Sequence, residues 1–160
     1  TNGTTWATVL PSVGGIFNNV VRDNQSTDNG VLGQGGGILL ATGAPGGAVY
    51  NNLVEQNYLS GNGLAGVTVH SHSPGEDLNG NVIRGNRIGT NNLDGDYDFA
   101  QTDAQTTGVI VATAVNPISI AIKNNVFNNN FYGIWTTPNV TVTATANTFV
   151  GVNTPIFTAP

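Results

Sequence analysis

The chain has 160 residues, one ordinary domain's worth of sequence and enough to bury a core without covalent staples. Nine acidic residues against four basic ones leave a net charge of −5, which excludes nucleic acid as a partner because phosphate binding needs clustered Lys and Arg. There is no cysteine, so neither a disulfide framework nor a thiolate metal site can form, and no apolar run reaches the roughly 18 residues of a membrane span.

A content of 23 Asn, 22 Gly and 20 Thr weakens helices and suits turns and strands, so an all-β fold is predicted. The chain opens with Thr1 and without a basic-then-apolar leader, which reads as a processed or trimmed protein. In chain order, a motif of Asn, two apolar or Thr positions, two variable positions and usually Asn recurs at Asn19–Asn24, Asn52–Asn57, Asn81–Asn86, Asn125–Asn130 and Asn147–Val152. It alternates with Gly and a short apolar strand at Gly37, Gly66, Gly108 and Gly133. The step from Gly to the next Asn stays at 14 to 17 residues, whereas the step from one Asn to the next runs from 22 to 44. One half of each repeat is therefore fixed and the other elastic.

Short strands with Asn and Gly at the corners describe a coiled parallel sheet, each turn lying about 4.8 Å above the last. Asn fits such corners because it tolerates the left-handed backbone conformation and its amide can bond to the equivalent Asn one turn away. Inward positions should then stack in files: Val21, Val54, Ile83, Phe127 and Phe149 in one, and Ile16, Val49, Leu78, Ile122 and Ala144 in another.

The Asn-x-Ile-x-x-Asn and Gly-Ile-x-Val pairs, with the run Gly85-Asn86-Arg87-Ile88-Gly89-Thr90 ahead of an Asp- and Gly-rich loop, resemble the right-handed parallel β-helix repeat proteins of the pectate-lyase-like superfamily. The resemblance spans residues 15–157. It implies a right-handed parallel β-helix solenoid of five to six rungs, in a single domain over 1–160. Residues 1–14 and 153–160 are candidate end caps, and 89–107 a long loop between rungs. Polysaccharide lyases, glycoside hydrolases, epimerases, adhesins and modules without assigned chemistry share that fold, so the resemblance does not select an activity.

Along the strands that follow each Gly, alternation points Ile38, Val67, Val109 and Ile134 inward. It points Leu39, Thr68, Ile110 and Trp135 outward in one column, and Ala41, His70, Ala112 and Thr137 in the next. Leu, Ile and Trp on an outward face imply a covered or binding surface. Either part of 89–107 folds over it, or a sugar ring stacks on Trp135 beside Tyr132, or another protein or a second copy docks there. The ligand-binding candidates are Trp135, Ile110, Leu39, His70 and Tyr132.

Six of the nine carboxylates and both histidines fall between residues 70 and 103. Asp94, Asp96 and Asp98 place oxygens at every second position and are candidate calcium ligands, although Gln105 at the twelfth position excludes an EF-hand. His70 and His72, two apart on a strand, share a side and suit copper or zinc if Glu76 or Asp77 joins them. A lyase would need its base from Arg22, Arg84, Arg87 or Lys123. The catalytic blocks of polygalacturonases are absent, and no catalytic residue is assigned.

The expected function is a non-catalytic, secreted or cell-surface β-helix module that binds polysaccharide or serves a structural or adhesive role, with open ends through which copies could stack. The sequons at Asn2, Asn24 and Asn139 are compatible with that setting. The alternative is a small lyase or glycoside hydrolase acting over residues 70–103.

Overall fold

The tolerance of Asn, Asp and Gly for the left-handed backbone region sets the corners of this molecule. A computed structural model describes residues 15–99 and 101–160. The first rung runs through β1 (Ile16–Phe17), β2 (Val20–Arg22), β3 (Gln25–Thr27) and β4 (Ile38–Thr42). The second runs through β5 (Val49–Tyr50), β6 (Leu53–Glu55), β7 (Tyr58–Ser60) and β8 (Val67–Ser71). The third holds β9 (Val82–Arg84), β10 (Arg87–Ile88) and β11 (Thr107–Thr113). The fourth holds β12 (Ile118–Lys123), β13 (Val126–Asn128) and β14 (Tyr132–Thr136), and the fifth β15 (Val140–Thr145), β16 (Thr148–Val150) and β17 (Thr154–Thr158).

Corresponding strands pair in parallel to give three sheets of five: β2-β6-β9-β12-β15, β3-β7-β10-β13-β16 and β4-β8-β11-β14-β17, with β1 paired to β5. This is a parallel β-helix. The candidate cap at 1–14 lies outside the described residues; residues 154–158, at the other end, form a strand of the third sheet.

Just before most ladder asparagines stands a residue with positive φ, as at Asp23 (56°), Gln56 (55°), Asn124 (56°) and Ala146 (52°), with Gly85 (62°) in the third rung. That conformation swings the next Asn inward, where its amide stacks on its counterparts. The main-chain N–H groups of Asn24, Asn57, Asn86 and Asn125 donate to Oδ1 of Asn57, Asn86, Asn125 and Asn147 at 3.1, 2.9, 2.9 and 3.0 Å. From the second rung on, Nδ2 also reaches down to a carbonyl of the rung below: Asn57 to Val21, Asn86 to Val54 and Asn125 to Ile83. Two further ladders run along Asn19-Asn52-Asn81 and Asn29-Asn62-Asn91-Asn130. These bonds satisfy buried polar groups that would otherwise cost about 1–3 kcal/mol each.

The files differ from the expected ones in the upper rungs. Val21, Val54 and Ile83 stack as expected, but Ile122 and Ala144 continue that file, while Phe127 lies over Ile88 and under Phe149. The reason is the five-residue spacing of the corners. Asn recurs at 19, 24 and 29, at 52, 57 and 62, and at 81, 86 and 91, so the motif can slide by one corner without losing its pattern. In the fourth and fifth rungs Ile120 and Val142 take the place of the first-corner Asn, and β12 and β15 run straight through it. Asn125 is thus the counterpart of Asn86, not of Asn81.

The core fills the coil's interior with Val54, Leu59, Ile83, Ile88, Ile122, Phe127 and Ile134, all fully buried. Phe127 and Phe149 stack at 5.0 Å between ring centres. Glycine is required beside them: a Cβ on Gly108 would sit 2.7 Å from the Phe127 ring and one on Gly133 2.5 Å from the Phe149 ring. The two Gly motifs therefore record the close approach of the third sheet to these rings.

Candidate functional site

The outward column of the third sheet is in register as expected, with Leu39, Thr68, Ile110, Trp135 and Phe157 facing one another across successive strands. Its surroundings change along the coil. Leu39 is 46% exposed, but Ile110 is fully buried and Trp135 retains only 5% of its surface. The cover is the connection between β10 and β11. A single 3-10 turn, Tyr97–Phe99, places the Phe99 ring 5.6 Å from that of Trp135 and 5.9 Å from that of His70. Tyr132, also buried, stacks on Phe157 at 4.8 Å and accepts from Gln105 Nε2 at 3.4 Å. Ala65 and Ala112 complete this second apolar cluster outside the sheet. Of the three occupants weighed for this column, the chain's own loop is the one in place over the third and fourth rungs.

The loop is held by polar side chains. Asn92 and Gln101, both buried, bond to each other at 2.9 Å, and Asn92 Nδ2 also donates to the Gln105 carbonyl. The three aspartates that were candidate calcium ligands take separate tasks. Asp94 reaches down to the first rung and accepts the N–H groups of Leu32, Gly33 and Gln34 at 2.7, 3.2 and 3.0 Å. Those bonds, Leu32's foremost, hold its carboxyl below the usual range. Asp96 is turned inward; burial, and then the neighbouring Asp98, push its carboxyl up to about 6. Among the described residues no three His, Asp or Glu side chains gather where they could hold a metal ion.

At the rim of the covered face, His70 stands in the outward column between Ala41 and Ala112. His72 lies beyond the end of β8, and the two Nε2 atoms stand 3.2 Å apart with ring centres at 4.3 Å. Burial, then the charge of His72, lowers His70 to about 4, against the smaller opposing pull of Asp98 and Glu76. Glu76 is buried and shapes the turn: its Oε2 accepts the N–H groups of His72 and Ser73 at 2.6 and 2.9 Å. Asn116 from the next rung braces the same turn through Ser71, Ser73 and Gly75. Asp77 instead caps Asn79.

The cations lie on other faces. Arg84 pairs with Glu55 through Nε at 2.9 Å and Nη2 at 2.8 Å. Arg87 lies over the Tyr58 ring at 5.7 Å in an open groove of about 240 Å³ lined also by Ser60, Thr90 and Asn128. The sequence reading missed Phe99 and Glu76 as organisers. Phe99 carried a signal in being an aromatic inside an otherwise polar loop; Glu76 carried none, because its partners are backbone groups.

A family model described as a protein of unknown function (DUF1565) matches residues 48–155, and the chain belongs to that family. No curated protein matches the chain, and no solved structure does.

Proposed function

We propose that this member of a family without assigned function is a non-catalytic β-helix module of a secreted or cell-surface protein, akin to the pectate-lyase-like superfamily, with a structural or adhesive task. One observation carries the reading. The outward column that would receive a ligand at the third and fourth rungs is packed with the chain's own Phe99, leaving Ile110 buried and Trp135 and Tyr132 with no open ring face for a sugar. The three asparagine ladders support a rigid spacer, since each corner is bonded to the rungs on either side of it. Glycan contact falls instead to the polar groove of Tyr58 and Arg87, where an aromatic ring and a guanidinium suit an acidic sugar.

The composition of the fifth rung supports association of copies: β15, β16 and β17 hold no Asp, Glu, Lys or Arg, the residues that keep strands from pairing with other chains.

A screen of polyuronates and neutral glycans with added calcium, scored for unsaturated products and new reducing ends, tests the reading. No turnover is expected. Turnover that disappears in Asp96→Asn would replace this reading with a small polysaccharide-active enzyme. Sedimentation over a concentration series should show association, and a strictly monomeric species at high concentration would contradict stacking.

A further inference from the structure

The geometry points to a transition-metal site made by His70 and His72, taking an imidazole-preferring divalent ion such as Cu²⁺ or Zn²⁺. Residues two apart on an extended strand project to one side, and here the last residue of that strand-like stretch carries its ring back over the first. The two Nε2 atoms end 3.2 Å apart, on the solvent side of the β8 turn. An ion held at about 2.0–2.1 Å from each of two imidazole nitrogens in tetrahedral geometry needs them about 3.3 Å apart. The pair therefore presents two nitrogens at the required separation with no rearrangement of the backbone.

Three features around the pair favour a cation. In its column His70 stands between the small side chains of Ala41 and Ala112, and the Phe99 ring packs 5.9 Å away, which fixes the imidazole in place. Asp98 and Glu76 both act on His70 with negative charge. Two buried atoms of the cluster have no hydrogen-bond partner, Nδ1 of His70 and Oε1 of Glu76. When Nε2 of a neutral imidazole is given to a metal, Nδ1 carries the proton, and a carboxylate oxygen is the usual acceptor behind a ligating histidine. Glu76 is the buried carboxylate of this turn, and its other oxygen is fixed by the N–H groups of His72 and Ser73. The two orphaned atoms do not bond each other here; the negative charge of Glu76 beside His70 favours the Nδ1–H form when Nε2 is taken by a metal, which makes Glu76 a positioning residue in this scheme and not a ligand. With no third protein ligand gathered among the described residues, water fills the remaining positions, and the ion exchanges with solvent.

Equilibrium dialysis of the untagged chain against Zn²⁺ and, separately, Cu²⁺, with the bound ion quantified, tests the site. One ion per chain is expected, with Mg²⁺ and Ca²⁺ failing to compete. His72 is exposed, so His72→Ala should keep the wild-type melting behaviour. It should weaken binding by at least about 100-fold, the upper end of what loss of a mere supporting partner costs. Glu76→Gln should weaken binding by about tenfold. The electron paramagnetic resonance signal of bound Cu²⁺ should show nitrogen coupling that changes in His72→Ala. Equal binding by wild type and His72→Ala, no binding at all, or displacement by Ca²⁺ would each overturn the assignment.

Discussion

Two flanks of the coil obey different rules. Between the first and second sheets every corner repeats one pattern: a positive-φ residue, then Asn, with the main-chain N–H of each Asn in the first four rungs donating to Asn Oδ1 of the next rung at 2.9–3.1 Å. Beside the third sheet the connections of the lower rungs differ in length and in what holds them. Asp94 ties the third-rung loop to the first rung, Glu76 folds its own turn, and Phe99 fills an apolar face. The difference separates the repeat that makes the rod from the insertions that give it individual features. Perturbing the corners should therefore lower the stability of the whole chain, and perturbing the loops should alter one face.

The largest effect is expected where both flanks meet. Phe127 fills the interior between Ile88 and Phe149 against Gly108, and Phe127→Ala should cost about 3–5 kcal/mol in denaturant unfolding. Asn86→Ala leaves two buried donors of Asn57 without their acceptor and should cost about 3 kcal/mol. Asn147→Ala, in the half-exposed last rung, should cost only about 1 kcal/mol because water replaces what is lost. Equal losses at the two positions would show that ladder bonds do not depend on burial.

On the loop flank, Phe99→Ala should leave global unfolding nearly unchanged but open Trp135 to acrylamide quenching, read in a Trp6→Phe background. A Trp135 that stays protected would place the cover elsewhere.

Acid sharpens the same contrast through two opposed groups. His70 titrates near 4 in the folded protein and near 6.5 when unfolded, so the unfolded chain binds more protons and stability falls as pH drops through that window. Asp96 titrates near 6 folded and near 3.8 unfolded, so stability rises as pH drops from 6 toward 3.8. Asp96→Asn removes the gain. Its melting temperature should exceed that of the wild type at pH 7 and fall more steeply on acidification. A parallel pair of curves would contradict this account of the two groups. The smallest effect is expected from Arg84→Ala, whose half-exposed pair with Glu55 should be worth under about 1 kcal/mol.

The corners were legible because their chemistry is local: a residue tolerant of positive φ and an Asn recur along the chain whatever the loops do. The frame of the upper rungs was not, because three corners five residues apart look alike to a motif. Only the pairing of Ile120 with the Asn81 position shows which corner was dropped. The outward apolar column could be read by alternation. Its cover could be named only as one alternative, because Phe99 in an acidic loop says nothing of where that loop packs, and Tyr97 two residues earlier stays exposed. Asp94, Asp96 and Asp98 had calcium-like spacing, yet Asp94 turns to the N–H groups of the first rung while Asp96 is buried, since a turn aims alternate residues by backbone geometry that spacing does not encode.

The register of the fourth rung on the third bears the whole arrangement, and engineered disulfides report it directly. Arg87 and Val126 are neighbours across β10 and β13, and both are exposed. Adjacent-strand positions lie within the Cα separation of about 4.4–6.8 Å that a disulfide spans. Arg87→Cys with Val126→Cys should oxidise fully to a bridged, more stable chain, while Val82→Cys with Val126→Cys should stay reduced. Bridging of the second pair and not the first would put Asn125 over Asn81 and contradict the fold described above.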